Sequence, residues 1–221
     1  MNIYISGQIA ELKDKLNAYS ALLSFRFSNL CVKAELGALL PVTVLTEEEH
    51  NLEDVAKIAI PQDNQFEIYP KLNHYTQQII DGIMEVHPEF KLEMKQDEGS
   101  KDPKAKHLLY TMPDVDDDRR KLLTETAGVF HKECLANIDA TYAHYADMFA
   151  GVYEKMSDEE VQELKEVLSH TRNEYKEKVD KQYMDKIDEI DEAYDRYSEV
   201  KEVIEYSSLD FSKNMRLNFE E

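Results

Sequence analysis

Residues 112–123, Met-Pro-Asp-Val-Asp-Asp-Asp-Arg-Arg-Lys-Leu-Leu, divide the chain into two parts with different patterns. Pro113 has no N–H for a strand ladder and restricts the residue before it, so a preceding strand ends here. Asp116 is suited to cap a following helix. Asp117 and Asp118 would then lie where the positive end of the helix dipole favours carboxylates. Almost all of the sequence beyond this run has helical periodicity.

The part before this run is mixed. Apolar residues at three-, four- and seven-residue spacing predict one amphipathic helix over about residues 7–32. A second, shorter helix is predicted at 74–86, among short β-type runs that turn residues separate. These runs are 41–45, 57–60, 65–69, 90–94 and 107–112. The last two are typical of a hairpin, and the polar loop between them, residues 95–106, is predicted to be mobile.

Two further helices are predicted after residue 113. The first carries a heptad-like apolar stripe, and Ser157 with Glu160 forms a capping box that begins the second. The stripe comprises Leu123, Ala127, Phe130, Cys134, Thr141, Tyr145, Met148 and Val152. A helix of about 35 residues spans roughly 50 Å and cannot bury such a stripe alone, so the three long helices must pack together.

The sequence therefore predicts an α+β fold with an inserted domain. Residues 1–33 and 113–221 form a long three-helix bundle, and residues 34–112 form a small α/β domain, a mixed sheet plus a helix, inserted after helix 1. The two chain crossings must lie close together in space. Single-chain crossings of this kind favour a hinge. The predicted hinge residues are Lys33, Ala34, Met112 and Pro113.

Charge and composition exclude several classes of protein. The chain has 46 acidic and 26 basic residues and a net charge of −20, so it is not a general nucleic-acid coat, which needs clustered cations. No run of about 18 apolar residues predicts a membrane span, and the N-terminus lacks the pattern of a signal peptide. Cys31 and Cys134 are predicted to be reduced, buried thiols of a cytoplasmic protein. There is no glycine-rich phosphate loop and no nucleophile–base pair, so we predict no enzyme and no cofactor.

Three motifs occur in the order and spacing of one known family. In that family the second helix opens with a run of the type Pro-x-Leu-Thr-Glu-Glu-Arg-Arg-Lys-x-Leu, which corresponds here to residues 113–123. The third helix opens with Ile-Ser-Glu-Asp-Glu, which corresponds to Met-Ser-Asp-Glu-Glu at 156–160. A small-domain segment, Leu-Ala-x-Val-x-Val-x-Asp-x-x-x-Leu-x-Ile, corresponds to residues 55–68. Over about residues 8–197 the chain resembles ribosome recycling factor, whose fold is a long three-helix domain with an inserted α/β domain.

The resemblance implies a non-catalytic protein that binds post-termination ribosomes. Its bundle would lie against large-subunit ribosomal RNA, and a translocase-type elongation factor would help it to separate the subunits. We expect a monomer without membrane partners. Six cations are candidates for the RNA contact: Lys15, Arg26, Lys33, Arg119, Arg120 and Lys121. For Arg119 and Arg120 the alternative is pairing with helix-start carboxylates or packing at the hinge.

The chain also departs from the family pattern. The family's arginine-rich stretch midway along helix 2 corresponds to residues 141–144, Thr-Tyr-Ala-His, and Leu135 and Asp139 stand where basic residues are usual. Losing several phosphate contacts would lower affinity by orders of magnitude at physiological salt. The alternative hypothesis is therefore a fold that has lost RNA binding and acts as an acidic adaptor or regulator of a basic protein partner. Residues 198–221 extend beyond the expected C-terminus.

Two further groups have competing interpretations. His131 and Cys134 lie three residues apart and could share a metal, but a buried thiol beside a rim histidine is favoured and no metal site is predicted. Tyr142, Tyr145 and Tyr153 could stack on bases, but at helical spacing they are more often part of the core or its rim.

Overall fold

The computed structural model describes residues 3–96 and 106–217, without the side chains of 202–217. The loop predicted to be mobile includes residues 97–105, which lie outside the described residues. The elements in chain order are α1 (Ile3–Ser28), α2 (Leu36–Leu39), β1 (Thr43–Leu45), β2 (Glu49–Asn51), α3 (Leu52–Val55), β3 (Ala56–Gln62), β4 (Gln65–Pro70), α4 (Thr76–Val86), β5 (Lys91–Gln96), β6 (Lys106–Thr111), α5 (Asp117–Ala150) and α6 (Asp158–Leu217). No described helix has the length and apolar character needed to cross a membrane.

The chain forms two compact units. The first ends at Phe27 and resumes as Leu123–Asp188; the second comprises Ser28–Leu122 and resumes at Glu189. The start of α5 and the last part of α6 thus group with the sheet, whereas the sequence-based boundaries assign both to the bundle. Those boundaries stay a prediction.

The first unit is a bundle of α1, α5 and α6. Its core consists of the apolar stripes of the three helices, including Leu12, Leu16 and Leu23 of α1. On α5 the buried positions are Leu123, Ala127, Cys134, Ile138, Tyr145 and Phe149. The predicted stripe was therefore shifted in its second half, since Ile138 and Phe149 are buried whereas Thr141 and Met148 are half-buried.

The second unit is built on a four-stranded sheet with the strand order β3-β4-β6-β5. All three strand pairs are antiparallel, so the prediction of a mixed sheet was wrong. Phe66 of β4 pairs with Tyr110 of β6, and Ile68 pairs with Leu108. These four side chains are buried in one core with the apolar face of α4. Strands β1 and β2 form a separate hairpin. The hairpin predicted at residues 90–94 and 107–112 is confirmed as β5 and β6.

Both predicted helix starts are confirmed by their hydrogen bonds. The Arg119 backbone N–H donates to Asp116 Oδ1 (2.9 Å), so Asp116 caps α5. The Glu160 N–H donates to Ser157 Oγ (3.3 Å), and the Ser157 N–H donates to Glu160 Oε2 (3.0 Å), which is the reciprocal capping box before α6. Helix α6 continues to Leu217, so the segment beyond residue 198 extends this helix.

Helix α1 begins and ends earlier than the predicted residues 7–32. It ends at Ser28, and Cys31 then has a positive φ of 51°. A residue other than glycine rarely adopts this left-handed conformation, and it cannot continue a right-handed helix. The apolar periodicity through Val32 was misleading because Cys31 and Val32 are buried in the second unit rather than along the helix.

Candidate functional site

The chain passes between the helical and the mixed segments twice, near Ala34 and near Met112. Both crossings form hydrogen bonds with one turn, the β3–β4 connection. The Ala34 N–H donates to Asp63 O (2.6 Å), and the Met112 N–H donates to Asn64 O (2.9 Å). The two crossings therefore lie side by side in the second unit. Of the predicted hinge residues, Ala34 and Met112 are buried, Lys33 is exposed and Pro113 is half-buried.

Arg119 ties the start of α5 to both crossings. Its guanidinium donates to the carbonyl oxygen of Pro113 and to Cys31 O (3.1 Å). Burial lowers the pKa of this guanidinium, while Glu89 is the first of several nearby groups that raise it. An arginine stays protonated in either case. These contacts are the ones expected if Arg119 packs at the crossings, which is the alternative to binding phosphate.

Arg120 and Lys33 both pair with carboxylates of α6. Arg120 Nη2 lies 2.8 Å from Asp191 Oδ1, and the guanidinium stacks over the Tyr194 ring at 4.5 Å. The hydrogen bond to Asp191 raises the pKa of Arg120. Lys33 Nζ lies 3.7 Å from Glu189 Oε1, and this charge raises the pKa of Lys33. The structure thus brings Lys33, Arg119 and Arg120 together in one region of the second unit.

The remaining predicted cations differ in their surroundings. Lys121 is exposed, and no carboxylate pairs with it among the residues that the structure describes. Lys15 and Arg26 belong to the first unit and lie eleven residues apart on α1, which places them on one helix face. Lys15 pairs with Glu11 (3.0 Å), and Arg26 pairs with Glu133 (2.7 Å).

A carboxylate, Asp139, occupies the middle of α5 at a position where the family pattern has a basic residue. Asp139 accepts hydrogen bonds from Arg172 (2.7 Å) and Lys176 (3.2 Å) of α6. The Arg172 hydrogen bond lowers the pKa of Asp139. Arg172 also lies over the Tyr142 ring at 5.0 Å. Cations of α6 therefore pair with α5 on the partly exposed surface of the bundle, at the level where the family pattern has cations on α5.

The candidate metal ligands and two of the tyrosines proposed to stack on bases all have partners within the protein. His131 Nε2 bonds Asp180 Oδ1 (2.7 Å), while Cys134 Sγ lies 3.6 Å from Tyr19 O, so the two side chains point to different partners. Tyr145 is buried in the bundle core, and the Tyr153 ring lies under Lys165 Nζ at 5.2 Å.

Sequence reasoning missed one buried polar cluster in the second unit. Cys31 Sγ lies 3.6 Å from His87 Nδ1, and Glu89 Oε1 lies 3.3 Å from the same nitrogen. His87 Nε2 lies 2.7 Å from Ala38 O. The close sequence positions of His87 and Glu89 are a weak signal, and nothing in the sequence connects them to Cys31, which is 56 residues away.

A three-helix bundle whose first connection carries a small α/β domain defines a known class of translation protein. The chain belongs to the ribosome recycling factor family, because the family model described as "Ribosome recycling factor" matches residues 26–190. The predicted recognition and fold class are thereby confirmed. A sequence search of curated proteins found no match.

Solved structures agree with this fold. A solution structure of ribosome recycling factor is 16% identical, with a TM-score of 0.68, and the match covers 86% of this chain and 98% of that one. A second similar structure is the T. thermophilus ribosome recycling factor in a set of models that places it and the E. coli elongation factor G on the E. coli post-termination complex. It is 17% identical, with a TM-score of 0.56, and covers 84% of this chain and 98% of that one.

Proposed function

We propose that this chain is a divergent, non-catalytic ribosome recycling factor that acts in the cytoplasm as a monomer. It binds post-termination ribosomes through large-subunit RNA and, with a translocase-type elongation factor, helps to separate the subunits. The observation that carries this proposal is the family match over residues 26–190, which includes parts of both compact units. The similar structure on a post-termination complex supports the choice of partners.

The RNA contact is assigned to the exposed cations near the start of α5. Lys121 is exposed, and Arg120 is bound only to a surface carboxylate and a ring. Arg120 Nε and Nη2 both donate to Asp191 Oδ1, and a phosphate oxygen can accept the same hydrogen bonds. Exposed ion pairs are weak, so Arg120 can exchange one partner for the other at low cost. Lys33 is a secondary member of this surface, and Lys15 and Arg26 are separate candidates on the first unit. Arg119 supports it from within, since its donors are directed to carbonyl oxygens.

Sedimentation with ribosomes tests this assignment. The parent chain should pellet with the large subunit at low salt and less strongly at physiological salt. Lys121→Ala should reduce the slope of log affinity against log salt by about one unit, as expected for one lost phosphate contact. Lys91→Ala on β5 is the matched control, because Lys91 is also exposed and lies on the sheet. Absence of the parent chain from the 50S fraction at both salt concentrations would refute RNA binding.

The hinge belongs to the same proposal. Motion at Lys33, Ala34, Met112 and Pro113 has to break, or work around, the hydrogen bonds that Ala34 and Met112 make to the β3–β4 turn. Faster amide hydrogen exchange at Ala34 and Met112 than in β4 and β6 would support a hinge at these residues. Equal protection would place the motion elsewhere.

A second function is favoured by the electrostatics. Four of the six candidate cations already pair with carboxylates, and the net charge is −20. An acidic adaptor would bind a basic protein through exposed carboxylates of α6. Asp188→Lys is the cleaner probe, because Asp188 is exposed whereas Asp191 pairs with Arg120. Capture of an RNA-free basic protein that Asp188→Lys weakens would support this function. Ribosome pelleting that depends on Arg120 and Lys121 would refute it.

A further inference from the structure

We propose that Cys31, His87 and Glu89 form a divalent metal site whose chemistry suits Zn²⁺. The three side chains offer one sulfur, one nitrogen and one oxygen, and all three ligand atoms lie within 4.8 Å of one another. The site lies in the second unit, between the end of α4 and the segment that follows α1. Its ligands include none of the cations assigned to RNA.

The spacing of the ligand atoms is that of a tetrahedral zinc site. Zinc binds thiolate at about 2.3 Å and imidazole nitrogen or carboxylate oxygen at about 2.0–2.1 Å, so tetrahedral angles place sulfur and nitrogen about 3.6 Å apart and nitrogen and oxygen about 3.3 Å apart. The observed separations are 3.6 Å from Cys31 Sγ to His87 Nδ1 and 3.3 Å from His87 Nδ1 to Glu89 Oε1. Cys31 Sγ and the Glu89 carboxylate oxygen lie within 4.8 Å of each other.

The histidine is held in the tautomer that a metal needs. His87 is 3% exposed, and its Nε2 lies 2.7 Å from Ala38 O. A carbonyl oxygen only accepts, so Nε2 carries a proton and donates it. In the neutral ring the lone pair is then on Nδ1, directed at the thiol and the carboxylate. A ligating histidine whose other nitrogen donates to a backbone carbonyl is the usual arrangement in metal sites.

Two other occupants of this space are possible, and each explains only part of the cluster. A thiol of Cys31 can donate to Asn29 O at 3.3 Å, but that bond leaves the approach of Glu89 to His87 unexplained. A second proton on His87 Nδ1 would give an ion pair with Glu89, but it does not account for the approach of the thiol to the same nitrogen. A metal ion uses all three groups together.

The charges of the site also balance. On binding, the Cys31 S–H bond breaks, sulfur bonds to the metal and the proton passes to solvent. The thiolate and the Glu89 carboxylate then neutralise the two charges of Zn²⁺.

Three protein ligands leave a fourth position for water. Entry is possible from the Glu89 side, because this side chain is 41% exposed whereas that of His87 is 4% exposed. Arg119, which donates to Cys31 O, weakens the site by its positive charge but does not fill it.

Zinc binding to the full chain tests the site. One sample of the chelator-treated protein is dialysed against Zn²⁺ alone, and a second is loaded with Co²⁺ to give a thiolate-to-cobalt absorption band that added Zn²⁺ should abolish. We expect one bound ion, proton release on binding, and a fall in affinity of more than about tenfold in Cys31→Ser, His87→Gln and Glu89→Gln, because loss of a supporting group alone costs about 10–100-fold. Cys134→Ser and His131→Gln are matched controls, since they remove a second thiol and a second imidazole that have other partners.

If Cys31→Ser or His87→Gln does not fold, the exposed ligand Glu89 still allows a decisive test. Glu89→Gln keeps the size of a side chain that is 41% exposed. Zn²⁺ should raise the melting temperature of the parent chain and protect Cys31 from alkylation, and both effects should be lost in Glu89→Gln. No stoichiometric uptake by the parent chain, equal uptake by Glu89→Gln, or a cobalt spectrum without a thiolate band would overturn the proposal.

Discussion

Gly82 marks the point where α4 lies against β1, and replacing it with alanine should destabilise the second unit. A Cβ atom added at Gly82 would lie 2.2 Å from Thr43 O and 3.3 Å from Thr43 C. Even close carbon–oxygen contacts in proteins are about 3.3–3.6 Å, so the methyl group would overlap the carbonyl oxygen by about 1 Å. The obstacle is backbone and cannot rotate away, so either α4 or β1 must move.

The expected magnitude follows from two opposing effects. Alanine is favoured over glycine inside a helix by about 1 kcal/mol. Overpacking of a core costs about 1–3 kcal/mol, and a clash with a fixed carbonyl belongs at the upper end of that range. Gly82→Ala should therefore lower the free energy of unfolding by about 2 kcal/mol. For a chain of this size, the melting temperature should fall by about 4–8 °C.

Gly7→Ala is the matched control, because nothing lies within 4 Å of a Cβ atom at that position of α1. Only the helix-propensity effect remains there, so this variant should be unchanged or more stable by up to about 1 kcal/mol. Thermal and urea unfolding followed by circular dichroism would measure both variants. If Gly82→Ala were as stable as the parent chain, the close approach of α4 to Thr43 would be wrong.

Two further predictions concern the helical unit. Ser157→Ala removes the acceptor of the Glu160 N–H and should cost about 1 kcal/mol, whereas Ser157→Thr should keep most of that stability; equal melting temperatures for the two variants would contradict the capping box. Asp139→Asn removes a carboxylate whose pKa the Arg172 hydrogen bond lowers in the folded state. The folded chain therefore binds fewer protons here than the unfolded chain, so the stability from this group is present above its ordinary pKa and is lost as the pH falls through the lowered folded value. The difference in melting temperature between the parent chain and Asp139→Asn should be largest near neutral pH and should vanish in acid; a constant difference would contradict this contribution.

The sequence was sufficient for features that depend on neighbouring residues. Both caps were predicted correctly, because a capping residue and its backbone donor are three positions apart. The fold class was also predictable, since three long apolar stripes cannot be buried separately. The end of α1 was not, because the apolar pattern continues to Val32 although the chain turns at Cys31. Periodicity shows that a residue is buried, but it does not show in which unit.

The candidate sites were predicted less well, because their partners are far away in sequence or are backbone atoms. Arg119 was identified as important, but its acceptors are two carbonyl oxygens, and a carbonyl gives no signal in a sequence pattern. Cys31 and His87 appeared as an isolated thiol and one of several scattered histidines. The turn at Cys31 and the end of α4 bring them together. The end of α4 at Val86 was predicted correctly, but the turn at Cys31 was not.

The pairing of cations within the second unit changes what salt dependence means for this protein. A cationic protein binds RNA less tightly as salt rises, because counterions released from the RNA gain less entropy in a more concentrated salt solution. A chain with a net charge of −20 is also repelled by RNA at long range, and salt screens that repulsion over about 8 Å at physiological ionic strength. Arg120 must in addition release Asp191 before it can bind a phosphate, and salt weakens that ion pair as well. The second and third effects oppose the first. A shallow overall slope of log affinity against log salt would therefore be consistent with genuine RNA contacts. The difference in slope between the parent chain and Lys121→Ala is therefore the informative quantity, because the long-range repulsion is nearly the same in both.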